Sequence, residues 1–380
     1  MKSFIKIACT FFAAACLLPA AYAKKTFTDA ELKLPSKKGA CYALRAADDP
    51  KGSKWGLPVR WPESIPYVKQ LDVKWNYSWN TKLVEGQPKD IEFVPQVWGA
   101  WGMANFKKQL QRDVIPMIKS GRIKRILAFN EPDKHDQSNM TYKQALEYWP
   151  ELEKLGIPLC SPSPARTEPI NDGTSQGVKG TWMPDFIREA DKRGYRVDYV
   201  GVHWYGGISV EDFKAKMGRL YKMYGKRPLI LSEFAPANWD AKSVEQNHRT
   251  PAMVLAFMKE ILPWLQKTEW IAGYSWFSFG TNMPCGWSSA LFTENGKLTA
   301  CGRFYKSVTD ENPNGDQRIK PDADKPPKTK FQSNTTQYSD AEIKEKGLNP
   351  VYMGKSAGDL VGKSWKAMKK KNTKQMLDIM

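Results

Sequence analysis

Residues 126–139 read ILAFNEPDKHDQSN, an apolar run that breaks within four positions into an amide, a carboxylate, a proline and a second carboxylate. An ionisable group at the tip of an apolar strand is costly unless it is paired or put to use. Pro132 disfavours the helical region for the residue before it, so Glu131 is expected to stay extended at the strand tip. The pattern returns later in the chain, where Leu229-Ile230-Leu231-Ser232 runs into Glu233-Phe234-Ala235.

These two stretches belong to a series of eight short runs rich in apolar, β-branched and aromatic residues: Ala40–Leu44, Val73–Trp79, Phe93–Trp98, Ile126–Asn130, Pro158–Ser161, Val197–Tyr205, Pro228–Phe234 and Ile271–Phe279. Helical patterns fall between most of them, at Asn105–Ser120, Tyr142–Leu155, Trp182–Arg193, Val210–Tyr224 and Pro251–Gln266. Eight buried strands alternating with helices predict an α/β fold, a (β/α)8 TIM barrel over residues 39–309. Thr141 is placed to cap the helix beginning at Tyr142, and Gly156, Gly194 and Gly225 stand where helices end before the next strand. Lys51–Tyr67, rich in glycine and proline, is expected to be irregular.

The ends differ in character. Residues 1–23 carry Lys2 and Lys6, an apolar stretch from Ile7 to Leu18, and Ala21-Tyr22-Ala23 ahead of two lysines. This is the pattern of a secretory leader cleaved after Ala23, and no other run has the length of a membrane span. Residues 24–38 form a lead-in. Asp310–Ser333, with four prolines among polar residues, reads as a linker without a core. Ser339 and Glu342 make a capping box, and Leu360–Met380 is a helical, lysine-rich stretch that is either a solvated terminus or a contact for an anionic wall or surface.

Loss of the leader lowers the formal net charge from +18 to +16. The excess is spread along the chain without an Arg-Gly or recognition-helix pattern, so nucleic acid is not an expected partner. Cys41, Cys160, Cys285 and Cys301 lack metal-ligand spacing, which argues against a zinc centre. Cys285 and Cys301 are a candidate disulfide in an oxidising compartment, with buried free thiols as the alternative. A secreted monomer with no cofactor is the expectation.

In a barrel of this class the chemistry lies at the C-terminal strand ends, so Glu131 and Glu233 share one rim at strands four and seven. Paired carboxylates suit glycosidic bond cleavage, one as proton donor and one as nucleophile or base. A gap of about 5–5.5 Å goes with retention of configuration and about 6.5–9.5 Å with inversion. The alternative is a structural role in salt bridges with the abundant Lys and Arg. His203, Trp204 and Tyr205 on run six, Trp276 on run eight and Trp98 on run three are the candidate substrate contacts, through aromatic faces for sugar C–H bonds. Tyr205 is placed to hydrogen-bond a nucleophilic carboxylate, while His203 is either a helper or a buried, satisfied histidine. Trp75, Trp79 and Trp101 either line the cleft or pack in the core.

Leu127–Asp133 (LAFNEPD) with Gln137 and Asn139, Leu159–Pro162 (LCSP), Trp182 and Phe186, Val202–Tyr205 (VHWY), Leu231–Ala235 (LSEFA) and Tyr274–Phe277 (YSWF) together resemble the Asl1-like glycosyl hydrolase catalytic domain, glycoside hydrolase family 128. The resemblance spans Gly39–Tyr305. It implies a retaining endo-β-1,3-glucanase of the clan A barrels, with Glu131 as acid/base, Glu233 as nucleophile and Asn130 as the asparagine preceding the acid. It leaves two other readings, a glucan- or wall-binding protein and a hydrolase of another β-linked polysaccharide.

Overall fold

The computed structural model describes residues 26–42, 64–83, 86–169, 181–277, 279–293 and 295–322. The leader, most of Lys51–Tyr67, the capping box at Ser339 and the stretch Leu360–Met380 lie outside the described residues.

Among the described residues eight strands fall within or against the eight runs: β1 (Lys38–Cys41), β2 (Trp75–Tyr77), β3 (Glu92–Phe93), β4 (Ile126–Leu127), β5 (Leu159–Cys160), β6 (Val200–Trp204), β7 (Leu229–Phe234) and β8 (Ile271–Trp276). Six form a parallel sheet in the order β3-β2-β1-β8-β7-β6, and β4 pairs with β5. Single parallel bridges join the two sets, Gln96 to Leu127 and Cys160 to Tyr199. Val97 N–H donates to Leu127 O at 3.0 Å, and Ser161 N–H to Tyr199 O at 2.9 Å. One buried cluster draws on or beside every strand, with Cys41, Trp75, Tyr77, Val94, Leu127, Cys160, Tyr199 and Ile230 packed together and Ala272 against them. Gly39 makes room for this cluster, because a Cβ there would lie 2.1 Å from the Trp75 indole.

Nine helices accompany the strands among the described residues: α1 (Asp29–Leu32), α2 (Ser64–Gln70), α3 (Met103–Gln109), α4 (Ile115–Lys119), α5 (Tyr142–Glu153), α6 (Trp182–Lys192), α7 (Val210–Met223), α8 (Pro251–Lys267) and α9 (Ala300–Ser307). The single helix expected over Asn105–Ser120 is instead α3 and α4 joined by a wider π turn at Leu110–Val114. Pro116 explains the break, since its ring removes one N–H donor and clashes with the carbonyl four residues back. The expected irregular stretch also differs, because Ser64–Tyr67 opens α2.

Local signals behave as their chemistry requires. Thr141 caps α5 in a reciprocal box with Gln144. Gly156, Gly194 and Gly225 take φ of 69°, 64° and 72°, the left-handed region that ends a helix without steric cost.

Residues 310–322 correct the expectation of a coreless linker from Asp310 onward. Lys259 Nζ donates to Gln317 O at 2.6 Å and Ile319 O at 2.8 Å, and Asp322 accepts from the first N–H of α9 at 2.5 Å. The packed body therefore reaches at least to Asp322. No helix among the described residues is long and apolar enough to cross a membrane.

The end of the sheet away from the strand tips is held by Arg125. Its guanidinium donates to Glu92 at 2.8 Å, to the Tyr199 hydroxyl at 2.8 Å and to the carbonyls of Leu32 and Lys33. Arg125 is buried and the Glu92 side chain nearly so. Arg125→Met strands the Glu92 carboxylate, so the urea midpoint should fall by the equivalent of about 3–5 kcal/mol at neutral pH.

Candidate active site

The site begins where β7 gains a residue. Leu231 pairs with Val202 of β6, yet Glu233, not Ser232, pairs with His203. On the other side Leu231 faces Tyr274 and Phe234 faces Trp276, again one residue more on β7 than on its neighbour. This bulge breaks the strict alternation of a strand. Ser232, whose Oγ lies 3.3 Å from Ser163 Oγ, and Glu233 both turn inward, and Phe234 still packs against Phe213 of α7.

Three donors then fix the Glu233 carboxylate. Trp79 Nε1 donates to Oε1 at 2.6 Å, Tyr77 Oη to Oε1 at 3.2 Å, and Tyr205 Oη to Oε2 at 2.5 Å. Burial, reinforced by the Glu233 charge, pushes the Tyr205 hydroxyl well above the usual tyrosine value, so it serves as a donor.

Glu131 stands beyond β4, where Asn130 N–H donates to Trp98 O and Glu131 N–H to Ser163 O, each at 2.9 Å. It is not extended as its proline suggested. Its φ is +36°, in the left-handed region. The loop explains this. Lys134 N–H donates to Glu131 O, Ser138 N–H to Asn130 O and Met140 N–H to Pro132 O, which folds the chain back over the strand tip. Proline had only closed the right-handed helical region, and strain of this kind costs about 1–3 kcal/mol. Asp133 pins the same loop by accepting from Ala165 N–H at 2.8 Å and Arg166 N–H at 3.0 Å.

His203 lies between the two glutamates. Its Nδ1 is 3.1 Å from Glu131 Oε1 in hydrogen-bonding geometry. Its Nε2 is 3.3 Å from Glu233 Oε1, close enough for an ionic contact but misaligned for a hydrogen bond. Burial lowers the imidazole, but the charges of Glu233 and Glu131 outweigh it and raise the net value. Burial likewise raises Glu131, and the His203 hydrogen bond together with the Lys134 ammonium, 3.5 Å from Oε2, more than reverses it. The Glu131 carboxyl therefore sits below its ordinary value.

One donor atom from each of Glu131, His203 and Glu233 lies within 4.8 Å of the others. That is also the donor set of a cation site. Here, however, Trp79, Tyr77 and Tyr205 direct hydrogens at Glu233, and the Lys134 ammonium faces Glu131, so both carboxylates already have donors.

The remaining expected residues divide. Asn130 is buried, its Nδ2 donating to Gln137 Oε1 at 3.1 Å and its Oδ1 unpartnered among the described residues. Trp98 is half-buried and lies 5.7 Å from Trp101, which is 44% exposed. Trp204 and Trp276 do not reach the cleft. Strand alternation turns both outward, Trp204 onto Phe257 of α8 at 5.6 Å and Trp276 onto Phe234 at 5.1 Å. Phe277, one residue on, takes the inward place beside Trp79 and Tyr205. Cys285 and Cys301 do not pair; both are buried free thiols, with the Sγ of Cys301, in the first turn of α9, directed at Ser288 O. Burial pushes them up to about 11 and about 12, which leaves them unreactive.

Sequence reasoning missed Tyr77, Lys134 and Trp239 and left Trp79 undecided. Trp239, 48% exposed and 5.3 Å from Tyr205, follows β7 in ANWD, a tryptophan among turn residues that gave a signal in kind.

A family model described as glycosyl hydrolase catalytic core matches residues 56–305, the stretch that holds both glutamates. The chain belongs to that family. Solved structures similar to this chain agree. A variant of a GH128 subgroup I endo-β-1,3-glucanase from Amycolatopsis mediterranei, in complex with laminarihexaose, is 25% identical over 72% of this chain and 99% of that one, with a TM-score of 0.54. The same bacterial enzyme in complex with laminaritriose is 26% identical over 71% and 98%, also at 0.54. No curated protein matches the sequence. The protein is a glycoside hydrolase with a GH128-type domain, as the sequence motifs implied.

The donors on Glu233 generate a prediction for this glycosyl hydrolase. Trp79→Phe and Tyr205→Phe should each cut kcat by about a hundredfold through misplacement of the carboxylate, with circular dichroism unchanged. The double variant should lose less than the product of the two, since both act on one group.

Proposed function

We propose that the protein is a secreted, retaining endo-β-1,3-glucanase built on a closed (β/α)8 barrel. The observation that carries this is the convergence of Glu131, His203 and Glu233 to within 4.8 Å on one strand-end rim. So short a gap favours direct attack by a carboxylate over the wider spacing that admits a water. The single bridges at both sheet edges and the interior cluster fed from every strand support barrel closure.

Glu233, held by Trp79, Tyr77 and Tyr205, attacks the anomeric carbon while Glu131 passes its proton to the departing glycosidic oxygen. A covalent glycosyl ester with Glu233 results. Glu131, now a carboxylate, takes a proton from water, and that water displaces Glu233 with a second inversion. The unpartnered Oδ1 of Asn130 is placed to accept from the sugar hydroxyl beside the reacting carbon. Trp98 with Trp101 near Glu131, and Trp239 near Glu233, offer flat faces to sugar rings on the two sides of the cleavage point. The similarity to enzymes whose structures contain laminari-oligosaccharides supports β-1,3-glucan as substrate. Residues 1–23 support export.

Wild-type protein should release oligosaccharides from laminarin and curdlan, with the β anomer formed first by proton NMR. Glu233→Ala should abolish release, and Glu131→Gln should lower kcat by about 10²–10⁴-fold. Initial formation of the α anomer would refute retention, and turnover of mannan or xylan in place of laminarin would refute the substrate.

The lowered Glu131 carboxyl also fixes a sign. The acid step needs Glu131 protonated, so kcat/KM falls as pH rises through its depressed value, and the optimum should lie on the acid side of neutrality. A pH profile of laminarin hydrolysis checks this.

A further inference from the structure

The Glu131 carboxyl has two oxygens, and both are engaged. Oε1 meets His203 Nδ1 at 3.1 Å on the inner side, beside Glu233. Oε2 meets Lys134 Nζ at 3.5 Å. A carboxyl that protonates a glycosidic oxygen must present one oxygen to the substrate. The His203-bound one is turned inward, so Oε2 is the oxygen available. An ammonium lies on it.

Lys134 is built to leave. It sits in the turn after Glu131, a third of its side chain is exposed, and the same nitrogen lies 3.8 Å from Asp136 Oδ1. A flexible lysine stem between two carboxylates has two resting places. We propose that Lys134 is a positioning residue that clamps the Glu131 carboxylate while the cleft is empty and swings to Asp136 when a sugar occupies the leaving-group side. This rests on the assignment of Glu131 as acid/base.

The groups around Glu131 permit such a device. From β6 comes His203, and from beyond it the Tyr205 hydroxyl; from β7 comes Glu233; from its own loop come Asp133 and Lys134. His203 is buried and Tyr205 half-buried, both fixed by hydrogen bonds, Glu233 is caged and Asp133 is pinned by two backbone donors. Lys134 is the charged neighbour with both exposure and an alternative partner. Release of the clamp lets Glu131 take up the proton it must donate.

The two kinetic parameters separate the states, since kcat/KM reports groups in the free enzyme and kcat those in the complex. In Lys134→Met the alkaline limb of kcat/KM on laminarin should move up by about one pH unit, the size expected for loss of an adjacent opposite charge, while the kcat limb stays in place. Lys134→Arg should keep the wild-type profile. An unmoved kcat/KM limb would overturn the proposal, and so would equal movement of both limbs, because a clamp that persists in the complex is no switch. Carbon NMR of glutamate labelled at the carboxyl follows Glu131 in the free protein without substrate. Its titration should rise in Lys134→Met even if laminarin is not cleaved, which would defeat the substrate reading and leave the clamp standing; an unchanged titration defeats the clamp alone.

Discussion

Two carboxylates buried within 4.8 Å of one another repel, and in a site screened from water the repulsion is strong. His203 makes the arrangement tenable. It stands between Glu131 and Glu233 with a ring nitrogen toward each, and both charges raise its affinity for a proton. The three groups share protons as a unit, so the state of one is set by the other two. Much of the surrounding structure serves to hold this unit still: the bulge in β7 and the indole of Trp79 place Glu233, and the strained backbone at Glu131 places its partner.

The periodicity of the chain makes most of the fold legible. All eight strands overlap apolar runs because a strand buried on both faces is largely apolar. The caps at Thr141 and the three helix-ending glycines follow from local hydrogen bonding and φ alone. What sequence does not carry is an insertion without a signature. Nothing in LILSEF marks Ser232 as an extra residue, yet it decides that Glu233 faces inward.

The same limit accounts for the aromatic residues. In VHWY and YSWF the composition is that of a sugar cleft, but alternation sends His203 and Tyr205 one way and Trp204 the other, and places Phe277 where Trp276 was expected. A tryptophan is as well used in packing as in binding a sugar face. Only the register tells the two apart. Lys134 escaped notice for a different reason: a lysine in a loop is ordinarily a solvated charge, and its meaning comes from a distance of 3.5 Å that spacing cannot give.

The environments of the two glutamates also fit the roles proposed for them. Glu233 is surrounded by neutral donors on rigid aromatic rings, two from the β2 region and one from beyond β6. Such partners fix direction and keep their own protons. That suits a group whose task is to attack along one line. Glu131 is held by His203 and by the part-exposed Lys134, partners that in the proposed mechanism give up a proton or move away. A group that must donate a proton in one step and remove one in the next needs neighbours that accommodate both states. Exchanging the roles would ask the caged carboxylate to take up and release a proton among fixed donors, and the other to hold an attacking geometry beside a partner that swings.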